Sequence, residues 1–139
     1  MTLVDLDAIP QVALPFINAD HREEGRLLNE LAEAIEGHRK GKVPVETVLH
    51  RFDELLTHTQ EHFGREEKAM QEARFPPFPL HKAEHDRVLE EMESEEVHFR
   101  ETGDTARLRT YVREAVPGWF VSHIQSMDAV TAGFISGQR

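Results

Sequence analysis

Four segments of the sequence carry histidine in patterns that suit metal binding. They are His21 alone, an HxxxE that begins at His62, an HxxxH that begins at His81 and an HxxxxD that begins at His123. Residues four apart on a helix are neighbours on one face, so HxxxE and HxxxH each present two ligands side by side. The five-residue step from His123 to Asp128 turns an α-helix through about 500°. These two side chains therefore share one site only if Asp128 reaches across from the flank or the helix is locally irregular.

Seven side chains on predicted inward helix faces form the candidate ligand set: His21, His62, Glu66, His81, His85, His123 and Asp128. A single histidine on an apolar face is more often a hydrogen-bonded core residue than a ligand. Burying all seven side chains together without a metal would instead leave many polar groups in need of partners. The chain has no cysteine, which excludes zinc–thiolate and cysteine-held iron–sulfur sites. Nitrogen and oxygen donors suit iron, manganese, zinc or copper, and seven ligands suit two octahedral ions that share bridging carboxylates.

Hydrophobic periodicity predicts the helices that would position these ligands. The first begins near Asn18, with Asn18 or Asp20 as its N-cap, and stops before Gly41. The later helices are predicted at about 45–72, at about 80–101, and from residue 104 or 105 onwards.

Four amphipathic helices with short connections and no strand pattern predict an all-α fold, an up-down-up-down four-helix bundle. Residues 1–17 hold two prolines and predict an extended N-terminal arm, which leaves residues 18–139 for the bundle. Pro117-Gly118 lies inside the fourth helix, where proline removes a backbone hydrogen bond and predicts a kink or a short break. The bundle would bring ligands from all four helices to one site.

Charge and hydropathy limit the partners of this protein. Its 16 basic and 26 acidic residues give a net charge of -10, which argues against binding to nucleic acid or to an anionic membrane surface. No apolar run approaches the ~20 residues of a membrane span. The first residues lack the basic flank of a secretion signal, so we expect a cytoplasmic protein.

The neighbours of the candidate ligands resemble the pattern of one known family. A histidine on the first helix is followed by HFxxE with a further Glu and a Met, by HKxEH, and by WxxxHIxxxD. The similarity runs from about residue 17 to residue 135, and the sequence resembles hemerythrin and the bacterial hemerythrin-like proteins. The resemblance implies a non-heme di-iron centre with an oxo or hydroxo bridge that binds O₂ for storage, transport or sensing.

The resemblance also divides the ligand set. Three histidines would fill the coordination of one iron, and two would hold the other iron, which then has an open position for O₂. Two carboxylates would bridge the ions. By this resemblance, the first iron would be held by His81, His85 and His123, the second by His21 and His62, and the bridging carboxylates would be Glu66 and Asp128.

Two residues beside the ligand set are unexpected. Glu24 lies on the inward stripe three residues after His21, and His58 lies one turn before His62. In antiparallel helices these positions reach the same layer, so we expect Glu24 and His58 to face each other near the iron with the open position. They would hydrogen-bond to one another or supply an extra ligand to that iron. The alternative is that Glu24 turns to the helix flank and pairs with Arg22 or a lysine.

Three functions fit the seven ligands. The first is O₂ binding. The second is the reduction of peroxide, NO or O₂ by a di-iron enzyme, and a proton-transferring pair of Glu24 and His58 would favour this second function. The third is iron handling without a role for O₂. A signalling or redox role would need a separate partner protein. We expect four core residues to line a ligand pocket: Leu28, Phe63, Trp119 and Ile124. We expect three histidines to lie on the surface: His38, His50 and His98.

Overall fold

The computed structural model describes residues 2–137. Helices α1 (Pro15–Arg39), α2 (Val45–Glu72) and α3 (Phe78–Thr102) are followed by a longer, segmented helix, which we call the C-terminal helix. Within the described range no strand is present, and the predicted all-α four-helix bundle is confirmed. In chain order, the C-terminal helix consists of α4 (Thr105–Thr110), a π turn (Tyr111–Ala115), α5 (Val116–His123), a second π turn (Ile124–Asp128) and α6 (Ala129–Ser136).

Helix α1 begins at Pro15, three residues before the predicted start. Pro15 occupies the first helical position, where its fixed φ is suitable and its missing N–H is not needed. The predicted N-caps, Asn18 and Asp20, are wrong for this reason. The side chain of Asn18 instead binds both backbone groups of Val12, at 2.8 Å to the N–H and 2.9 Å to the carbonyl.

The residues before Pro15 lie across α1. Asn29 binds Val4 in the same double manner, with distances of 2.7 and 2.8 Å. A Cβ at Gly25 would lie 2.9 Å from Cδ2 of Leu6, so a larger residue at this position would have to displace the Leu6 side chain. The division of the chain into an arm of residues 1–17 and a bundle of residues 18–139 stays a prediction.

The other helix boundaries lie close to the prediction. Helix α2 has the predicted limits, and α3 extends beyond its predicted limits by two residues at the start and one at the end. Gly103 ends α3 with a φ of 68°, and the side chain of Asp104 caps α4 by accepting the N–H of Arg107. The C-terminal helix continues through Pro117. The predicted irregularity lies one turn earlier, in the π turn Tyr111–Ala115, so proline stands near the start of α5.

The interior contains a large apolar cluster and many buried polar side chains. The main apolar cluster joins the helices through residues such as Leu31, Phe52, Met92 and Val112. The buried polar side chains are His21, Glu24, Thr59, His62, Glu66, His81, His85, His123, Asp128 and Thr131. No helix within the described range is long and apolar enough to cross a membrane.

Candidate metal centre

All seven predicted ligands are buried, and the bundle brings them together. Their donor atoms form two groups, and within each group these atoms lie within 4.8 Å of one another. Both groups contain Glu66, and every helix of the bundle contributes at least one member. The larger group is Glu66, His81, His85, His123 and Asp128, and the smaller is His21, His62 and Glu66.

Glu66 stands between the two groups. Its Oε2 contacts Nε2 of His62 and lies 3.9 Å from Nε2 of His21. Its Oε1 faces the other way, 3.8 Å from Nε2 of His81 and 3.5 Å from Nε2 of His85. One oxygen directed to each side is the arrangement that a bridging carboxylate requires.

Asp128 has the same arrangement and owes it to an irregular turn. Its Oδ2 lies 2.8 Å from Nε2 of His21, and its Oδ1 lies 3.1 Å from Nε2 of both His81 and His123. In the π turn Ile124–Asp128, hydrogen bonds run from residue i to residue i+5, so a residue five positions on lies over the first. Of the two expectations for the HxxxxD spacing, local irregularity is the one that the structure shows.

The donor atoms fit a metal. Nε2 of His85, Oε1 of Glu66 and Oδ1 of Asp128 are buried and have no hydrogen-bond partner among the described residues. Leaving such atoms unsatisfied costs about 1–3 kcal/mol each, and a bound cation would satisfy them. Imidazole nitrogens and carboxylate oxygens without sulfur suit iron, manganese, zinc or copper.

Two residues outside the ligand set orient the ligands on α3. Nδ1 of His85 lies 2.9 Å from Oε2 of Glu67, and Nδ1 of His81 lies 2.8 Å from Oγ1 of Thr131. A partner on the far nitrogen of a metal-binding histidine fixes its ring and its tautomer. Sequence reasoning assigned no role to Glu67 or Thr131. The available signals were a second glutamate directly after a ligand and a threonine on the inward face of an otherwise apolar segment.

The predicted pocket residues lie in different places. Leu28 and Trp119 line a mostly apolar cavity of about 50 Å³, together with Glu24. Phe63 instead stacks on the ring of His85, with ring centroids 3.8 Å apart, and Ile124 packs in a separate apolar cluster, Ile9, Phe120 and Ile124. The cavity therefore includes two of the four predicted residues.

Burial and the neighbouring side chains shift the pKa values of the candidate ligands in opposite directions. Burial raises the pKa of the Asp128 carboxyl, but contacts with three histidines outweigh burial and hold that pKa far below its ordinary value. The pKa of Glu66 is lowered in the same way by two histidines. Burial lowers the pKa of His62, whereas Glu24 and Glu66 raise it, to about 10 overall. At neutral pH the metal-free chain therefore has ionised carboxylates and a protonated His62, and a metal must displace that proton.

Glu24 and His58 lie beside the smaller group. Oε1 of Glu24 is 3.5 Å from Nε2 of His58 and 3.7 Å from Nδ1 of His62, and Oε2 accepts a hydrogen bond from the Thr59 hydroxyl. In the His62 ring, Nε2 faces Glu66, and Nδ1 lies on the opposite edge of the ring. Glu24 therefore lies behind His62 and outside the two groups of converging donor atoms. Glu24 and His58 face each other in one layer as predicted, but no hydrogen bond joins them among the described residues, because Nε2 of His58 donates to the carbonyl of Asp20 at 3.1 Å.

The remaining predicted residues lie away from the centre. Arg22, the flank partner considered for Glu24, pairs with Asp7 at 3.1 Å. His50 is exposed, and His38 and His98 are partly exposed.

Comparison with known proteins agrees with this geometry. Residues 12–135 match the model of the hemerythrin HHE cation binding domain. The chain is 30% identical to a bacteriohemerythrin of Aquifex aeolicus (strain VF5) over 130 residues, which are 94% of this chain and 95% of that protein. It is 33% identical to a bacteriohemerythrin of Ralstonia nicotianae (strain ATCC BAA-1114 / GMI1000) over 86% of this chain and 79% of that protein. A crystal structure of a hemerythrin mutant has the same fold, with a TM-score of 0.73, 22% identity and coverage of 98% of this chain and 99% of that one. The chain belongs to the hemerythrin family.

Proposed function

We propose that this protein holds a non-heme di-iron centre with an oxo or hydroxo bridge and binds O₂ for storage, transport or sensing. When bound, the two ions would supply the electrons and the open coordination position that O₂ binding requires. Family membership and the buried group of imidazoles and carboxylates support the proposal. In the proposed assignment, His81, His85 and His123 hold one ion, His21 and His62 hold the other, and Glu66 and Asp128 bridge them.

The unequal number of histidines on the two sides of the shared carboxylates carries this proposal. Three imidazoles converge on one side of Glu66, and two converge on the other among residues 2–137. Six-coordinate binding on the side of His21 and His62 therefore leaves a position for a small ligand. Leu28 and Trp119 line a mostly apolar cavity that also borders Glu24, the residue behind His62.

Anaerobic loading with Fe²⁺, followed by exposure to O₂, tests the proposal. We expect two irons per chain and a new charge-transfer absorption band that disappears when O₂ is removed. His21→Ala should lose the band, because one of the two imidazoles on the open side is gone. His50→Ala is the matched control, since this histidine is exposed, and it should behave as the unmodified chain. Two bound irons without a response to O₂ would contradict O₂ binding and favour iron handling.

A second candidate function is the reduction of peroxide, NO or O₂. Two observations favour it: Glu24 and His58 lie beside His62, with Oε1 of Glu24 3.5 Å from Nε2 of His58, and Glu24 also lines the cavity of about 50 Å³. Rapid irreversible oxidation of the diferrous protein, with turnover of added peroxide or NO, would support this function over reversible O₂ binding. Three expectations stay predictions: that the protein is cytoplasmic, that it does not bind nucleic acid, and that a signalling or redox role needs a separate partner.

A further inference from the structure

We propose that Glu24 is a positioning residue for the iron held by His21 and His62, an inference that rests on the proposed di-iron function. Its carboxylate accepts the Nδ1 hydrogen of His62 and holds a negative charge behind this ligand. That charge favours the ferric state of the ion with the open position.

The atoms that would form this hydrogen bond are both buried and unpartnered. Oε1 of Glu24 and Nδ1 of His62 have no hydrogen-bond partner among the described residues, and they lie 3.7 Å apart. When Nε2 of a neutral histidine binds a metal, its ring hydrogen is on Nδ1. A movement of less than 1 Å would then bring the pair to the ~2.8 Å of a charge-assisted hydrogen bond.

The neighbours of Glu24 hold its carboxylate in this orientation. The Thr59 hydroxyl donates to Oε2, which leaves Oε1 directed towards His62. On another side lies the mostly apolar cavity, with Leu28 and Leu55 among its lining residues. Glu24 itself is buried, and the low dielectric of the interior strengthens the interaction of its charge with a nearby cation.

The same molecule has an independent example of this arrangement. Nδ1 of His85 lies 2.9 Å from Oε2 of Glu67, so a ligand on the side with three histidines also has a carboxylate behind it. Such a partner raises the basicity of the imidazole and tunes the metal that it binds. A more basic ligand and an added negative charge both stabilise the ion of higher positive charge. With Glu24 in place, each side of the centre has one such carboxylate.

Glu24, His58 and His62 also have donor atoms close enough to hold a third cation. The hydrogen-bond arrangement explains the geometry better, because Nε2 of His58 lies 3.1 Å from the carbonyl of Asp20 and donates its hydrogen there. Metal counting separates the two arrangements, since a third cation at this position would be lost when Glu24 is neutralised.

The test compares Glu24→Gln with Glu23→Gln in the iron-loaded protein. Both variants remove one negative charge from adjacent residues, but Glu23 is partly exposed and pairs with Arg26 on the helix surface, so it is the matched control. We expect two irons per chain in both variants. At a fixed potential, the ratio of reduced to oxidised iron should rise about tenfold in Glu24→Gln, which is about 59 mV for a one-electron couple. It should not change in Glu23→Gln.

A spectroscopic measurement detects the hydrogen bond itself. The ring N–H protons of histidines bound to paramagnetic iron give shifted, solvent-exchangeable resonances, and one of them should move in Glu24→Gln while the others stay. Thr59→Val keeps the charge and removes the hydroxyl that orients it, so a smaller change of the same sign is expected. This second variant keeps the test valid if Glu24→Gln does not fold.

The inference is overturned if Glu24→Gln and Glu23→Gln have the same potential and the same resonances, or if Glu24→Gln loses a third bound metal. Failure of the proposed function looks different. In that case the unmodified chain itself does not bind two irons or does not respond to O₂.

Discussion

Replacing Glu67 measures how much a residue outside the ligand set contributes to metal affinity. Oε2 of Glu67 lies 2.9 Å from Nδ1 of His85, and the Glu67 side chain is 19% exposed. A hydrogen bond to a charged group contributes about 1.5–3 kcal/mol, against about 0.5–1.5 kcal/mol for a neutral one. Because Glu67 is partly exposed and lies 3.6 Å from Lys82, we take the lower end of the charged range. Glu67→Ala should therefore weaken metal binding by about 1.5 kcal/mol, which is slightly more than tenfold in affinity.

Titration of the metal-free protein with Co²⁺, followed by its ligand-field absorption, measures this change. Glu67→Gln keeps an acceptor oxygen without the charge, so its affinity should lie between those of the unmodified chain and Glu67→Ala. Glu72→Ala is the matched control, because this exposed carboxylate lies in the same helix and pairs with Lys68 at 3.9 Å. Equal affinities for Glu67→Ala and Glu72→Ala would refute the view that carboxylates behind the ligands strengthen metal binding.

Three further predictions concern stability. Asn29→Ala removes two hydrogen bonds to Val4 and should lower the free energy of unfolding in urea by about 1–2 kcal/mol; a loss below about 0.5 kcal/mol would mean that the N-terminal segment is not held in this way. Gly103→Ala places a side chain at a φ of 68° and should cost about 1 kcal/mol, measured by thermal unfolding; an unchanged melting temperature would contradict the left-handed turn. The metal-free chain should lose stability as the pH rises from about 6.5 towards 10, because protonated His62, with its pKa raised to about 10, contributes fully only below the unfolded value of ~6.5. Urea unfolding at pH 6.5, 8 and 9.5 measures this effect, and a stability that rises over this interval would contradict it.

The ligand pattern could be predicted because it depends on short spacings within single helices. His62 and Glu66, four residues apart, need only one regular helix to face the same way. The HxxxxD spacing of His123 and Asp128 left two alternatives, because a π turn depends on how the helix packs and has no clear local signal. Sequence reasoning placed Glu24 in the correct layer through the antiparallel pairing of α1 and α2.

The supporting contacts could not be predicted, because they join residues far apart in the chain. Thr131 meets His81 across 50 residues, and a threonine near the end of a helix has many other roles. The start of α1 was missed for a different reason. Proline usually interrupts a helix, so Pro15 indicated a non-helical segment. At the first helical position, however, proline is favoured. Asn18, a good N-cap by residue type, instead binds the preceding backbone.

The shared carboxylates have a consequence for how the centre fills. Glu66 and Asp128 each direct one oxygen to either side, so in the proposed centre the first ion to bind would order both carboxylates for the second. The second ion would then have only its own histidines to arrange, and by reciprocity the loss of either ion would weaken the binding of the other. We expect metal uptake to be cooperative, with empty and fully loaded chains both more abundant than chains that hold a single ion.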